Sequence, residues 1–317
     1  MLTNVYLKNF RGFRDAVVGP LKRVNLIVGQ NDTGKTGLLE AMALLLTDPP
    51  QNAHSLPQLF RSGGSDPNEN FWKWLHYNKD SKNAVQVRAQ FDKLPEFGVW
   101  LATGAGIPHG AFHRVGQIGD MHLFTTGQRE TALLKASFFS TRPTNPREDA
   151  IDYNRVVLRR KKREVQELLK NVEPRLESIE SLQTGNEPLL YADVGLGEMI
   201  PVTQMGQGFN RLLDIYSEIV AAEAKVLLID EIENGLHHSV LPTIWRGLFH
   251  AAEEVDVQIF ATTHSWECVL AADEAAGQEP AYDLNLIRLD RMDDNIKATI
   301  IDKEALSTAK ELHWEMR

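Results

Sequence analysis

The chain opens on alternation. Leu2 to Leu7 reads as a strand and Asn9-Phe10-Arg11-Gly12-Phe13 as the turn into a second one, so the N-terminus is expected to be a strand meander. Val24 to Val28 is a short apolar run that stops at Gly29, after which Leu38, Leu39, Met42, Leu45 and Leu46 supply the apolar face of a helix over Thr36 to Leu46. Strand, glycine turn, helix is the order of a phosphate-binding βα unit. Val85 to Phe91 alternates as a strand, and the glycine-rich stretch from Gly98 to Gly119 reads as loops or hairpins. Ala136 to Phe139 is a further short strand.

From about Asp149 to Leu182 the pattern predicts helix, with Val165, Leu168, Leu169, Val172, Leu176, Ile179 and Leu182 on one stripe and Pro174 breaking or kinking it. In the C-terminal third, Lys225 to Ile229 runs into Asp230-Glu231, and Val257 to Ala261 runs into Thr262-Thr263-His264-Ser265. A helix over Leu241 to Ala252 separates them. Near-continuous apolar strands alternating with helices imply a sheet covered on both faces. No internal repeat is visible.

Asp48 to Asn70 carries Pro49, Pro50, Pro57, Gly63, Gly64 and Pro67 and is read as a surface excursion. It ends in Phe71, Trp72, Trp74 and Tyr77, which either anchor the loop on the core, the favoured reading, or stack on a base. Arg159 to Arg163 is the densest basic run, a solvated helical face before it is a nucleic-acid or partner contact.

Composition narrows the class. The 317 residues are 43% hydrophobic and 24% charged, an ordinary globular balance that excludes disorder and fibrous structure. Lys+Arg 34 against Asp+Glu 43 gives a net charge of −9, which argues against a whole-surface DNA binder, since neutralising phosphates takes clustered cations. A local basic patch stays open. The single cysteine, Cys268, excludes an intramolecular disulfide, and with no signal-like N-terminus and no apolar run near the roughly 20 residues of a membrane span, the expected place is the cytoplasm.

The chemistry concentrates in three segments. Gly29-Gln30-Asn31-Asp32-Thr33-Gly34-Lys35-Thr36 matches the phosphate-loop pattern G-x-x-x-x-G-K-[ST] at every fixed position. Backbone amides of such a loop, with the helix dipole behind it, cradle phosphates; Lys35 is expected to reach the β- and γ-phosphates and the Thr36 hydroxyl to ligate Mg2+. The loop set is Gly29, Asn31, Asp32, Thr33, Gly34, Lys35, Thr36 and Gly37. Asp230-Glu231 at a strand end is either a helix cap or, paired with the loop, a carboxylate for magnesium followed by a general base for the attacking water. His264, directly after a buried-looking strand, is placed to sense the γ-phosphate; a structural histidine is the alternative.

Together, Leu7-Lys8-Asn9-Phe10-Arg11-Gly12-Phe13, the phosphate loop, Leu227 to His237 with its Asp230-Glu231-Ile232-Glu233-Asn234-Gly235-Leu236, and Thr262-Thr263-His264-Ser265 resemble the ABC-type ATPases of the SMC, RecF and OLD (overcoming-lysogenization-defect) group, above all stand-alone OLD-like AAA ATPases. The resemblance implies an α/β P-loop NTPase: an ABC-ATPase-like head with an N-terminal antiparallel β subdomain, spanning 1–317 as one domain, with a helical signature-bearing insertion at about 144–222. It implies ATP and Mg2+ as cofactors, ATP hydrolysed to ADP and phosphate, and a head-to-tail homodimer in which each ATP touches the loop of one head and the signature motif of the other. Gln204 to Arg211 fits that motif, with Gly206, Gln207 and Gly208 near the partner's γ-phosphate and Gly206 standing where a serine is usual.

Adenine is expected at Asn9 to Phe13, against Phe10 or Arg11. The glutamine that usually helps hold magnesium is missing after Phe139, where Ser140 and Thr141 stand, and that ligand stays unassigned. There is no room for a long coiled coil. The implied role is a nucleotide-driven switch on a separate effector, such as a TOPRIM-like nuclease, in a bacterial or phage defence-like setting. A nucleotide-gated scaffold with little turnover and a RecF-like DNA-repair ATPase are the alternatives.

Overall fold

The computed structural model describes residues 1–46, 73–103, 112–118, 121–126, 135–141, 145–183, 187–221 and 224–312. The central six-stranded sheet has the order β15-β14-β3-β13-β12-β8, built from β3 (Val24–Val28), β8 (Ala136–Phe139), β12 (Val226–Ile229), β13 (Gln258–Thr262), β14 (Leu284–Met292) and β15 (Asn295–Ile301). Five strands run parallel; β15 alone is antiparallel, as a hairpin on β14. The strand carrying Asp230 therefore lies one strand away from the strand that feeds the phosphate loop, with β13 between them.

Alternate residues of these strands feed two cores. Val24, Leu26 and Val28, with Leu227, Ile229, Ile259 and Ala261, face one side. Ile27, Val226, Leu228 and Phe260 face the other. The first face is covered by α2 (Pro146–Leu158), α3 (Lys162–Lys170), α4 (Gln207–Ala221), α5 (Leu241–Glu254) and α6 (Trp266–Gln278). α1 (Lys35–Leu46) lies on the second face and is buried nearly all round, because an antiparallel sheet closes over it. A sheet covered on both faces is what the apolar runs predict.

That antiparallel sheet has the order β2-β1-β4-β5-β7-β6, with β1 (Leu2–Phe10), β2 (Phe13–Val18), β4 (Val85–Phe91), β5 (Phe97–Thr103), β6 (Phe112–Ile118) and β7 (Met121–Thr126). The expected N-terminal meander is present, with Phe10 paired to Phe13 across its turn. The glycine-rich stretch forms strands β5 and β6, with β7 between them in the sheet. Buried Gln258 ties the two sheets: its side chain accepts from Leu2 N (2.9 Å) and donates to the Leu2 and Lys22 carbonyls (3.0 and 2.8 Å). A buried amide with both ends bonded fixes register where an apolar residue would let it slip.

The helical stripe predicted over 149–182 is corrected. α2 ends at Leu158, Arg160 takes a left-handed φ of +61°, α3 ends at Lys170, and Ser178–Gln183 is strand β9. Beyond Pro174 the period changes from 3.6 to 2: Ile179 is buried between half-exposed Ser178 and Glu180, and β9 pairs residue by residue with β10 (Pro188–Asp193). Leu176 and Ile179 are three apart, a helical spacing, but Leu176 lies before β9 begins, and within the strand burial at Ile179 alternates with its neighbours. With β11 (Ile200–Pro201), the segment at 144–222 thus holds a three-stranded sheet as well as helices.

The excursion at 48–70, Phe71 and Trp72 lie outside the described residues. Trp74 does not anchor on the core: it is 57% exposed, with Lys79 Nζ 3.7 Å from its ring centroid. Leu75 and His76 are the buried residues there. The basic run sits at the α2–α3 junction, where Lys161 pairs with Glu164 (3.2 Å) and Lys162 with Glu180. Among the described residues no helix is long and apolar enough to cross a membrane. The last helix, α7 (Lys303–Glu311), is capped by the Asp302 carboxylate on Ala305 N (2.8 Å).

Candidate active site

Three strand ends meet. Leaving β3, Gly29 turns with φ +147°, and a Cβ there would collide with the Leu289 carbonyl of neighbouring β14. Thr33 Oγ1 donates to the Gln30 carbonyl (2.8 Å), closing the loop, and α1 begins as Leu38 N donates to Gly34 O (2.8 Å). Lys35 Nζ donates to the carbonyls of Gly29 (2.7 Å) and Gln30 (2.8 Å), so the ammonium lies in the bowl of the loop. Its side chain is buried, which concentrates the charge where anionic oxygens are drawn.

One residue past the lysine, Thr36 Oγ1 lies 3.0 Å from both carboxylate oxygens of Asp230, at the end of β12. Asp230 Oδ1 also accepts from Thr262 Oγ1 (2.7 Å) on β13. The same hydroxyl accepts from Glu231 N (2.8 Å). Thr262 therefore bridges the two acidic positions. Glu231 adopts a left-handed φ of +49°, which turns its side chain out of the strand line; such a conformation costs free energy and persists where neighbours hold it. Its Oε1 lies 3.7 Å from His264 Nε2, and the His264 N–H donates to Glu233 Oε1 (2.8 Å). The loop after the acidic pair is thereby tied to the loop after β13.

A cavity of about 830 Å³ opens over these groups. Asn31, Asp32, Gly34, Lys35, Thr36 and Gly37 form one wall, and Glu231 with His264 forms the end. Arg11, Gly12 and Phe13 from the β1–β2 turn face the loop. Thr36 and Asp230 are hard oxygen donors within one hydrogen bond of each other, a set that suits Mg2+.

Residues 111–269 match the family model described as "AAA domain, putative AbiEii toxin, Type IV TA system", and residues 1–148 match an AAA ATPase domain model. The chain belongs to this AAA domain family. It is an ATPase with the fold of an ABC/SMC-type head. Among its relatives is an ATP/GTP phosphatase of Helicobacter pylori, 22% identical over 327 aligned positions that cover 86% of this chain and 88% of that protein. A DNA replication and repair protein RecF of Anaeromyxobacter dehalogenans is 35% identical over 65 residues, 20% of this chain and 18% of that one. Solved structures share the fold at 14% identity, two among them being Smc heads. One is an Smc head bound to the C-winged helix domain of ScpA, with a TM-score of 0.67 over 97% of this chain and 99% of that one. The other is an Smc head with an extended coiled coil bound to the C-terminal domain of ScpA from Pyrococcus furiosus, at 0.61 over 98% and 99%.

Within this AAA-family ATPase, the phosphate loop, Asp230, Glu231 and His264 come together as expected. Phe10 does not. It is 0% exposed, packed among Leu7, Phe13 and the α1 side chains, and it does not line the cavity, so it offers no face to a base. Gly206 and Gln207 lie exposed outside the cavity at the start of α4. Gly208 is buried, and a Cβ there would run into the Gly235 carbonyl of its own chain, so its lack of a side chain serves an internal contact between α4 and the loop after Glu231. Ser140 is brought beside the acidic pair, its carbonyl accepting from Arg211 Nη1 (3.1 Å).

Four participants were not foreseen. Glu40, Arg291 and Ile296 also line the cavity, and Thr262 holds the acidic pair. Arg291 Nη2 donates to Asp32 O (2.7 Å), bracing the loop from the end of β14, while a Cβ at Gly34 would lie 2.7 Å from Ile296 Cδ1. No local motif marks a hairpin some 260 residues from the loop it braces. Glu40 did leave a signal, as the sole charge between Gly37 and Leu46.

Proposed function

We propose that this ATPase binds MgATP in the 830 Å³ cavity and hydrolyses it with Glu231 as general base. The observation that carries the reading is the contact of Thr36 Oγ1 with the Asp230 carboxylate at 3.0 Å, with Glu231 and His264 next to it. In this reading Lys35 and the loop amides hold the β- and γ-phosphates, and Thr36 and Asp230 hold the metal, which when bound neutralises phosphate charge. Glu231 takes a proton from the attacking water as its oxygen bonds to the γ-phosphorus. The bond from that phosphorus to the β–γ bridging oxygen breaks, and ADP leaves with the electron pair. His264 and Lys35 stabilise the charge that gathers on the transferred group.

Gly206 and Gln207 act in trans in this reading, and the buried Gly208 holds the corner on which they stand. Gly206 and Gln207 are exposed and outside their own chain's cavity, which leaves them to complete a partner's site in a head-to-tail homodimer. The dimer is a nucleotide-driven switch on a separate effector protein. An OLD-like role in a conflict or defence setting is supported by the toxin–antitoxin system in the family description, and a protein effector by the Smc heads seen with ScpA domains. A TOPRIM-like nuclease is the class of effector this reading names.

The test uses Lys35→Ala and Glu231→Gln. Lys35→Ala is expected to abolish ATP binding. Glu231→Gln is expected to keep binding, lose turnover by about 10²–10⁴-fold, and shift to dimer with MgATP in light scattering. Wild-type turnover in Glu231→Gln overturns the catalytic assignment. A Glu231→Gln protein that binds MgATP and stays monomeric overturns the dimer.

A further inference from the structure

Glu40 is a carboxylate in the wrong place for a polyphosphate site. It sits in the second turn of α1, its side chain 2% exposed, and it lines the same cavity as Lys35 and Thr36. A buried anion there is costly to desolvate and repels the ligand, so a compensating role is required. Its partner is Arg11, whose Nε lies 2.7 Å from Glu40 Oε2.

Arg11 is held from three other directions. Its backbone is left-handed, with φ +49°. Its N–H donates to Leu75 O (2.8 Å). Its Cδ lies 3.6 Å from where a Cβ on Gly37 would stand, so the stem runs over the first turn of α1. A guanidinium is a planar, permanently charged fork, and a buried carboxylate 2.7 Å from Nε holds that charge at this point of the cavity by ion pairing. Arg11 itself lines the cavity.

We propose that Glu40 is a positioning residue: it holds the Arg11 guanidinium against the bound nucleotide and acts on affinity through Arg11. The pair belongs to one device, in which α1 supplies the phosphate loop at its N-terminus and, one turn on, the carboxylate that aims a cation from the β1–β2 turn. The inference rests on the nucleotide-site reading above.

The experiment compares Glu40→Gln, Arg11→Met and the double variant by fluorescent ATP-analogue titration, with thermal unfolding in parallel. Glu40→Gln is expected to raise the analogue's Kd about tenfold, the scale of one charge-assisted contact. Its kcat at saturating ATP should stay within a few-fold of the parent. The double variant is expected to match Arg11→Met in Kd while melting at or above it, because removing both charges is tolerated better than stranding one.

A Glu40→Gln protein that binds as the parent does overturns the proposal, as does a double variant whose Kd is the product of the two single losses. If Glu40→Gln does not fold, the double variant against Arg11→Met decides alone: equal Kd supports the proposal and further loss overturns it. Lys35→Ala run beside them separates the two readings: retained binding there overturns the site assignment and the Glu40 role with it, while lost binding there with parent-like binding in Glu40→Gln overturns the Glu40 role alone.

Discussion

Arg211 Nη2, in the second turn of α4, donates to the backbone carbonyl of Asp230, the peptide oxygen that lies between the two acidic residues. Nη1 of the same side chain donates to Ser140 O at the end of β8. The opposite edge of the 230–231 peptide, Glu231 N, donates to Thr262 Oγ1. The peptide is thus clamped from both sides, and the clamp holds Glu231 in its left-handed conformation. Burial weakens the proton affinity of the Arg211 guanidinium, while Asp230, Glu233, Glu231 and Asp214 strengthen it. Because α4 begins at the exposed Gly206-Gln207 corner, whatever touches that corner has a mechanical route to the acidic pair.

Arg211→Lys is expected to lower turnover by roughly tenfold or more with a smaller change in ATP affinity. A lysine keeps the charge and loses the planar fork that spans two carbonyls. Stopped-flow phosphate release beside nucleotide titration separates the two effects. Equal turnover in the variant would show that the clamp does not position Glu231.

Thr262→Val keeps volume and removes the bridging hydroxyl. The Asp230 carboxylate loses a 2.7 Å donor and Glu231 N loses its acceptor, so unfolding free energy should fall by about 1–3 kcal/mol. Turnover should fall further than stability alone explains, while Thr262→Ser retains most of both. Denaturant melts and steady-state assays on the three proteins check this.

How much of this was legible follows from how local each signal is. The phosphate loop, Asp230-Glu231 and His264 were readable because each is a short segment at the end of an apolar run, and the parallel sheet brings those ends together. Phe10 was misplaced because a motif says nothing of inside and outside. Its partners Leu2, Val5 and Leu7 along β1 are all buried, and Phe10 continues that face. The helical stripe runs on into β9 because Leu176 and Ile179, three apart, extend the spacing of α3, although Leu176 precedes the strand. Arg291 and Ile296 were invisible because the contact between β14 and β3 is made in space alone.

Gly208→Ala should break the junction between α4 and the loop after Glu231. The added methyl meets the Gly235 carbonyl and lies 2.9 Å from Leu236 Cδ2; the second contact can relax and the first is backbone. Overpacking of this kind costs about 1–3 kcal/mol. Gly206→Ala meets nothing within 4 Å, but φ is +91°, so its cost is conformational. Thermal melts should rank Gly208→Ala as destabilised, and a Gly208→Ala protein as stable as the parent would mean that α4 can shift freely against that loop.

Cys268 gives a direct measure of opening on this face. It is 0% exposed at the start of α6, where Ser265 Oγ caps the helix on Cys268 N (3.1 Å). Burial pushes its thiol from an ordinary 9.0 up to about 12, with the Glu233 carboxylate adding to the rise. Since the thiolate is the nucleophile, iodoacetamide at pH 8.5 should label the native protein far more slowly than the chain in guanidinium. A folded pKa above the unfolded one contributes stability that is complete below pH 9.0 and is lost as pH climbs toward about 12. Cys268→Ala should remove that share of the alkaline decline. Native labelling as fast as in the unfolded chain would mean that α6 opens readily and that His264, two residues before the helix begins, is not held rigidly by it.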